Sequence, residues 1–216
     1  MAAAQPQGYL ATPSAGSGAP VLVLHAWWGL NDTMKRICDR LAEAGFTAFA
    51  PDLYHGNVAD TIEGAQTLSK ALDDDSQQAD TAKAIAFLVE STGNAGRGVA
   101  VIGFSMGAYY ALELAAADPE RIHSVVIFYG TGPTEHGKSR AAYLGHFAEH
   151  DDFEPKSAVD ELEESLKAAG RPVSFYTYPE TGHWFFEADR ADAYDQTAAE
   201  LAWERTIEFL SSSIAA

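Results

Sequence analysis

The sequence predicts an α/β fold in which a doubly wound, mostly parallel sheet carries helices on both faces. Short apolar runs of strand length alternate along the chain with amphipathic segments of helix length, and neither an internal repeat nor a low-complexity linker interrupts them. The chain of 216 residues, 47% of them hydrophobic, is also long enough to bury a substantial core. We therefore expect a single domain over residues 1–216, with a loose tail over residues 1–7.

The predicted strands are the apolar runs. Val21–His25 is continuous, as expected for a strand that a parallel sheet buries on both faces. Gly8–Thr12 precedes a turn-rich segment and is predicted as an edge strand. The remaining predicted strands are Phe46–Ala50, Gly98–Phe104, Ser124–Tyr129, Ala142–Ala148 and Val173–Tyr178.

The predicted helices lie between these strands. In the first of them Asp32 is the expected N-cap, Cys38 lies on the apolar face and Gly45 ends the helix. The acidic run Asp73–Asp75 is expected to be a solvated loop and cap. Further helices are predicted over Thr61–Leu72, Gln77–Ser91, Ala108–Ala117, Pro155–Ala169 and Ala191–Ser211.

The segment Gly103–Gly107 reads Gly-Phe-Ser-Met-Gly and joins a predicted strand directly to a predicted helix. In such a turn the central serine is strained and projects its hydroxyl group from the end of the sheet. A Cβ atom on either glycine would collide with a neighbouring strand or helix. The Met106 amide follows at a helix N-terminus, where partial positive charge can stabilise an oxyanion. Ser105 is the predicted nucleophile and Met106 a predicted oxyanion donor.

A serine nucleophile needs a base, and the base needs an acid that orients it. In a parallel sheet such side chains lie beyond the carboxyl ends of the strands. Asp151 and Asp152 follow one later strand, and His183 follows the next, after Gly182, which is predicted to allow a sharp loop. The order serine, aspartate, histidine is that of the α/β-hydrolase architecture. We therefore predict a triad of Ser105, Asp151 and His183.

Each member of this triad also has a structural interpretation. An aspartate shortly before a helix commonly caps it, which is the role expected for Asp152, but the choice between Asp151 and Asp152 stays open. His183 lies beside aromatic residues and would also suit a buried structural histidine. The other histidines show no metal-ligand spacing with carboxylates or thiols, so no metal is expected.

The net charge limits the classes of binding partner that are expected, and the cysteine content limits the disulfides that can form. A net charge of −17 gives the protein a solvated acidic surface and argues against nucleic acids or an anionic membrane as partners. The single cysteine excludes an intramolecular disulfide. The sequence shows neither a signal-peptide pattern nor an apolar segment of membrane-spanning length, so a cytoplasmic location is expected. The oligomeric state is not predicted.

The loop after the second strand reads His-Ala-Trp-Trp-Gly-Leu-Asn-Asp. In the α/β-hydrolase architecture a backbone amide of this loop faces the nucleophile, and Trp27 is predicted by position to be the second oxyanion donor. His25 either contacts the substrate or braces the loop by hydrogen bonds. Aromatic residues predict an apolar substrate pocket, although packing in the core is the alternative for several of them: Trp27, Trp28, Tyr54, Tyr109, Trp184, Phe185 and Phe186.

These motifs together resemble the dienelactone hydrolase family over about Gly8 to Phe209. The resemblance implies a small α/β-hydrolase with little lid structure that opens lactones or cleaves compact esters without a cofactor. Ser105, Asp151 and His183 fall on the family's catalytic positions, and Met106 and Trp27 on its oxyanion-hole positions. The motifs that carry the resemblance are the loop His25–Asp32, Pro51–Tyr54, Gly103–Gly107, Asp151 with Phe153, and Gly182 with His183.

Three departures from the family pattern affect the expected chemistry. Ser105 stands where the family usually has cysteine, and Ala26 stands where it usually has a glutamate that helps to activate that cysteine. A serine activated by His183 gains nothing from a second buried carboxylate, whose desolvation is costly. Glu187 stands where the family has an arginine that binds the carboxylate of the lactone. We therefore expect a neutral ester substrate.

The resulting hypothesis is a serine hydrolase that cleaves small esters or lactones through an acyl-enzyme. A thioesterase or an amide-cleaving hydrolase would use the same triad, and only a panel of substrates separates these activities. The other alternative is a ligand-binding protein of the same fold without catalysis. An aligned serine, aspartate and histidine argue against it, because binding alone does not need them.

Overall fold

The computed structural model describes residues 4–93, 98–132 and 136–215, with side chains as far as residue 213. The chain forms two compact units, Met1–Val99 and Ala100–Ala216. The single domain over residues 1–216 stays a prediction. No helix within the described ranges combines the length and the apolar composition that crossing a membrane requires.

The first unit contains three paired strands, in the order β1-β3-β2. The central strand β3 pairs in parallel with β2 and antiparallel with β1. From Val21 to Leu24 every residue of β2 is buried, as the continuous apolar run predicts. The strands are β1 Gly8–Ala11, β2 Ala19–Leu24 and β3 Phe46–Pro51.

Two helix boundaries in the first unit differ from the predicted ones. Asn31, and not Asp32, caps the first helix, because its side chain accepts a hydrogen bond of 3.0 Å from the Met34 amide. The third helix begins within the acidic run: the side chain of Asp73 is its cap, and the next two aspartates form its first turn. Acidic side chains are favourable there because they face the positive end of the helix dipole. The helices are α1 Asp32–Glu43, α2 Ile62–Ala71 and α3 Asp74–Thr92.

The second unit carries four strands in the order β4-β5-β6-β7. Strand β6 pairs in parallel with β5 on one side and with β7 on the other. Both β6 and β7 extend beyond their predicted ends, and a register irregularity between Ala148 and His150 lies in this extension. Beyond it His150 pairs with Gly182. The strands are β4 Val99–Phe104, β5 Ile122–Phe128, β6 Ala142–His150 and β7 Val173–Gly182.

The helices of the second unit follow the predicted order with shifted ends. The helix after Ser105 begins at once, two residues earlier than predicted, and the last helix begins later than predicted. Pro155 is the N-cap residue of the middle helix and no side chain caps it, so the expected capping role of Asp152 is wrong. The helices are α4 Met106–Ala117, α5 Lys156–Ala168 and α6 Gln196–Ala215. Strands paired mainly in parallel and separated by helices confirm the α/β class.

Gly103 allows β4 and the first turn of α4 to approach closely. A Cβ atom at this position would overlap the carbonyl oxygen of Gly107 and would lie 2.6 Å from the Cα atom of Ala108. Both neighbours are backbone atoms, which cannot move away as the end of a flexible side chain can. The sequence-based explanation of this glycine is therefore supported by the packing.

We predict that Gly103→Ala lowers the free energy of unfolding by about 1–3 kcal/mol, because the added methyl group overpacks a backbone contact. Urea denaturation followed by circular dichroism measures the change. Gly137→Ala is the matched control, since a Cβ atom there meets nothing within 4 Å, and it is expected to stay within about 0.5 kcal/mol of wild type. Equal stability of the two variants would contradict the packing argument.

Candidate active site

Ser105 occupies a strained turn between β4 and α4. Its backbone angles, φ 49° and ψ −112°, lie outside the regions that a serine ordinarily adopts. The Ser105 amide donates a hydrogen bond of 2.9 Å to the carbonyl oxygen of Phe128, and its own carbonyl oxygen accepts one of 2.8 Å from the amide of Ala108. Gly130 lies against the same backbone, because a Cβ atom there would lie 2.6 Å from the Ser105 carbonyl oxygen. Neighbouring strand and helix thus hold the strained conformation.

The structure brings Ser105, His183 and Asp151 together through hydrogen bonds. The Ser105 hydroxyl group donates to Nε2 of His183 at 3.0 Å, and Nδ1 of His183 donates to Oδ2 of Asp151 at 2.8 Å. The side chains of His183 and Asp151 are only 4% and 3% exposed. Because an ionised carboxylate can only accept, the proton of the neutral imidazole lies on Nδ1, and Nε2 is left to accept from the serine.

The carboxylate of Asp151 is held by its own loop. Its Oδ1 atom accepts hydrogen bonds of 2.9 and 3.0 Å from the amides of Phe153 and Glu154. Asp152 is exposed and makes no such contact with the imidazole among the described residues. Of the two aspartates that the sequence left open, the structure places Asp151 at His183.

The turn that carries His183 is built differently from the prediction. Gly182 stays in the extended strand β7, and a Cβ atom there would make only an ordinary contact of 3.5 Å with the His150 carbonyl oxygen. The left-handed conformations fall on Glu180, with φ 59°, and on Trp184, with φ 67°. The prediction that Gly182 provides the sharp bend is therefore wrong: the left-handed backbone lies at Trp184, in the turn after the strand, and at Glu180, two residues before the glycine.

The two predicted oxyanion donors lie in different units. Met106 is the first residue of α4, so its amide lies at the positive end of a helix that starts immediately after the nucleophile. Trp27 belongs to the first unit and is half-buried. Both assignments as oxyanion donors stay predictions.

His25 makes hydrogen bonds that brace its loop, which is the second of the two roles predicted for it. Its Nδ1 atom donates to the Ala26 carbonyl oxygen at 2.8 Å, and Nε2 accepts from the Leu53 amide at 3.3 Å. Burial lowers the pKa of His25, which keeps the ring neutral, as these two bonds require. A contact of His25 with substrate stays a prediction.

Of the aromatic residues predicted to line a substrate pocket, Trp27 is half-buried, and Phe185 and Phe186 are buried in the second unit, which fits packing in the core. The other four divide into two groups. Trp28 and Tyr54 are buried within the first unit. In the second unit Tyr109 is 42% exposed, and Trp184 packs with its ring centroid 4.9 Å from that of His183. Contact with substrate stays a prediction for all four.

Sequence reasoning missed three polar residues near the base, namely Tyr129, Thr131 and Glu154. The Tyr129 hydroxyl group donates a hydrogen bond of 2.9 Å to Glu187, and both side chains are fully buried. Glu154 accepts a hydrogen bond of 2.7 Å from the Thr131 hydroxyl group. Burial raises the pKa of Glu154, and it raises that of Glu187 to about 8. Thr131 follows the predicted strand Ser124–Tyr129, so the rule that functional residues lie after strands was an available signal for it. Tyr129 lies inside that predicted strand, which in the structure ends at Phe128.

One group of exposed side chains has donor atoms suited to a metal ion. Glu149, His150 and Glu180 each bring one such atom within 4.8 Å of the others. The carboxylate of Glu149 already accepts the backbone amide of Glu180 at 2.9 Å. Exposed acidic groups of this kind are common without a metal, so we assign none.

The sheet is mostly parallel, and a serine, an aspartate and a histidine each follow one of its strands and are linked by hydrogen bonds. This arrangement defines the class of α/β-hydrolases. The family model described as the dienelactone hydrolase family matches residues 7–214. The chain belongs to this family.

Relatives and solved structures agree with this assignment. Protein usf of Aquifex pyrophilus is 33% identical over 212 residues, which cover 94% of this chain and 91% of that protein. A candidate carboxymethylenebutenolidase of Aquifex aeolicus is 31% identical over 215 residues, with coverages of 95% and 93%. The crystal structure of a candidate dienelactone hydrolase from Klebsiella pneumoniae superposes with a TM-score of 0.84 at 25% identity, covering 94% of this chain and 92% of that one. The α/β-hydrolase fold is thereby confirmed.

The Glu187 carboxyl group makes the stability of the protein depend on pH. Its pKa of about 8 in the folded protein exceeds the ordinary value of 4.5, so folding retains a proton that the unfolded chain releases. The corresponding stability is fully present below about pH 4.5 and is lost as the pH rises towards about 8. Relative to Glu187→Gln, the free energy of unfolding of the wild type should fall by up to about 1.4 kcal/mol per pH unit in this window.

Urea denaturation of both proteins at about pH 5 and about pH 8 measures this difference. Glu164→Gln, which neutralises an exposed glutamate on α5, is the control for losing one acidic group and is expected to stay within about 0.5 kcal/mol of wild type. A difference between wild type and Glu187→Gln that is the same at both pH values would contradict the buried, protonated carboxyl group.

Proposed function

We propose that this member of the family is a serine hydrolase that cleaves small, uncharged esters or lactones through an acyl-enzyme. The observation that carries the proposal is the continuous hydrogen-bonded chain from the Ser105 hydroxyl group through His183 to Asp151. A hydroxyl group is a weak nucleophile at neutral pH, and this chain provides the base and the orienting acid that it needs.

In the acylation step Ser105 Oγ attacks the carbonyl carbon while His183 Nε2 takes the hydroxyl proton. Asp151 holds the imidazole in the correct tautomer and stabilises the imidazolium that forms. The negative charge develops on the former carbonyl oxygen, and the Met106 amide at the start of α4 is the proposed donor for it. Collapse of this intermediate breaks the ester bond, and the imidazolium returns the proton to the leaving alcohol.

Deacylation repeats these roles with water. His183 Nε2 takes a proton from the water molecule that attacks the acyl-serine, and the same imidazolium then returns a proton to Ser105 as the acid leaves. Protons and electron pairs balance over the two steps, so this route needs no redox or electrophilic cofactor.

The preference for an uncharged substrate is supported by the side chains around the base. Glu187 occupies the position of the family's carboxylate-binding arginine and is buried. Phe153 is 45% exposed and lies with its ring centroid 5.0 Å from that of His183. An exposed aromatic ring beside the base favours an apolar acyl or aryl group in the substrate.

We expect Ser105→Ala to lower kcat for a p-nitrophenyl short-chain ester by roughly 10⁴-fold or more, because the nucleophile is removed. The matched control is Ser174→Ala in β7, a serine remote in sequence from the turn, which should keep the wild-type rate. A folded Ser105→Ala protein with unchanged turnover would refute the proposal.

A fluorophosphonate probe tests the same nucleophile without a substrate. It is expected to add one covalent label to the wild-type protein at Ser105 and none to Ser105→Ala, as intact mass and peptide mapping show. Absence of labelling in the wild type would favour a ligand-binding protein without catalysis.

Separate substitutions of Asp151 and Asp152 show which of the two aspartates is the acid of the triad. Asp151→Asn should lower kcat by roughly 10³- to 10⁴-fold, because the amide neither stabilises the imidazolium nor enforces the tautomer. Asp152→Asn changes an exposed side chain and should retain kcat within about twofold. Steady-state kinetics on one ester compares the two variants, and a larger loss in Asp152→Asn would exclude Asp151 as the acid.

A further inference from the structure

We propose that Glu187 and Tyr129 form a positioning pair that fixes the plane of the His183 imidazole in line with Ser105. This inference rests on the proposed function, because it concerns the base of that reaction. Neither residue belongs to the predicted triad or oxyanion hole, and both are fully buried. Their link is the hydrogen bond of 2.9 Å from the Tyr129 hydroxyl group to Oε1 of Glu187.

Tyr129 is held in a conformation that needs support. Its φ of 36° lies in the left-handed region, which is unfavourable for a bulky residue and persists only where the surroundings enforce it. The Tyr129 amide donates a hydrogen bond of 2.8 Å to the His146 carbonyl oxygen, and the hydroxyl group binds Glu187 at the other end of the side chain. The residue is therefore fixed at both ends.

The ring between these two fixed ends lies against the base. The centroids of the Tyr129 and His183 rings are 4.9 Å apart, with an angle of 59° between the planes. Phe185 also packs against the tyrosine ring, with a centroid distance of 5.6 Å. Movement of the Tyr129 ring would therefore change the space available to the imidazole.

Glu187 belongs to the same turn as His183. The Phe185 amide donates a hydrogen bond of 3.2 Å to the Gly182 carbonyl oxygen. The Glu187 amide donates one of 2.9 Å to the Trp184 carbonyl oxygen. The bond from Tyr129 thus ties the turn that carries the base to the end of β5. The carbonyl oxygen that accepts the Ser105 amide belongs to Phe128, the last residue of that strand.

Burying the Glu187 carboxyl group at this position is energetically unfavourable. Oε2 of Glu187 is buried and has no hydrogen-bond partner within the described ranges. Tyr129, Asp189 and Arg190 are the groups whose charge or hydrogen bonding acts on Glu187. A leucine would fill the space without the cost of desolvating an acid. What the carboxyl group adds is an acceptor for the Tyr129 hydroxyl group.

Four variants separate positioning from mere packing, with hydrolysis of p-nitrophenyl acetate as the assay. Tyr129→Phe and Glu187→Leu each remove the bond and are expected to lower kcat about tenfold with KM within about twofold, because a displaced base weakens the reaction more than binding. Glu187→Gln keeps an acceptor and should stay within about twofold of wild-type kcat. The double variant Tyr129→Phe with Glu187→Leu should lose no more than either single variant, since both remove one bond.

Tyr143→Phe is the matched control. Its buried hydroxyl group also donates to another side chain, Ser139, at 2.6 Å, but the bond lies at the start of β6. It should keep the wild-type kcat. Near-ultraviolet circular dichroism and thermal denaturation establish that every variant is folded. Wild-type kcat in folded Tyr129→Phe and Glu187→Leu, or an equal loss in Glu187→Gln and Glu187→Leu, would overturn the proposal.

A measurement without turnover distinguishes this proposal from the proposed function. Proton NMR of the His183 Nδ1–H group, assigned by its loss in His183→Gln, reports the bond to Asp151 whether or not the protein hydrolyses esters. The resonance should shift or broaden in Tyr129→Phe and Glu187→Leu and stay unchanged in Glu187→Gln and Tyr143→Phe. If the wild type neither hydrolyses esters nor reacts with the fluorophosphonate probe, but the two variants still change the resonance, only the hydrolase proposal is refuted. A resonance that is unchanged in all variants would refute the positioning pair.

Discussion

The parallel pairing of β6 with β7 is the constraint on which the site depends. Beyond the irregularity at Ala148, His150 pairs with Gly182, and each is the last residue of its strand. The residue that follows each strand belongs to the candidate triad. Asp151 and His183 are therefore brought together by backbone hydrogen bonds, although they are 32 residues apart in the chain. The loop amides of Phe153 and Glu154 then fix the carboxylate.

Strain and its support recur around this pairing. Ser105 and Tyr129 both have left-handed backbone conformations, and both are held by hydrogen bonds to neighbouring strands. Trp184, one residue after the base, also has a left-handed backbone, with φ 67°. Conformations of this kind are unfavourable by themselves, so the surrounding sheet must stabilise them, and they commonly mark places where side chains are positioned for function.

The acidic side chains near the base differ in their environment. Asp151 accepts hydrogen bonds from the amides of Phe153 and Glu154 and from the imidazole of His183. Glu187 accepts one, from Tyr129, and its burial raises its pKa to about 8. The two carboxyl groups therefore differ in the donors around them: two backbone amides and the imidazole bind Asp151, and a single phenol hydroxyl group binds Glu187. This contrast underlies both the proposed chemistry and the proposed positioning pair.

Local patterns in the sequence were sufficient for the alternation of strands and helices, the Gly-Phe-Ser-Met-Gly turn and the order serine, aspartate, histidine. Each of these signals lies within a few consecutive residues, where propensity and spacing act. The choice of Asp151 over Asp152, the extended ends of β6 and β7, and the bond between Tyr129 and Glu187 had no such local signal. They depend on the register of neighbouring strands and on a contact across 58 residues, so only the tertiary structure decided them.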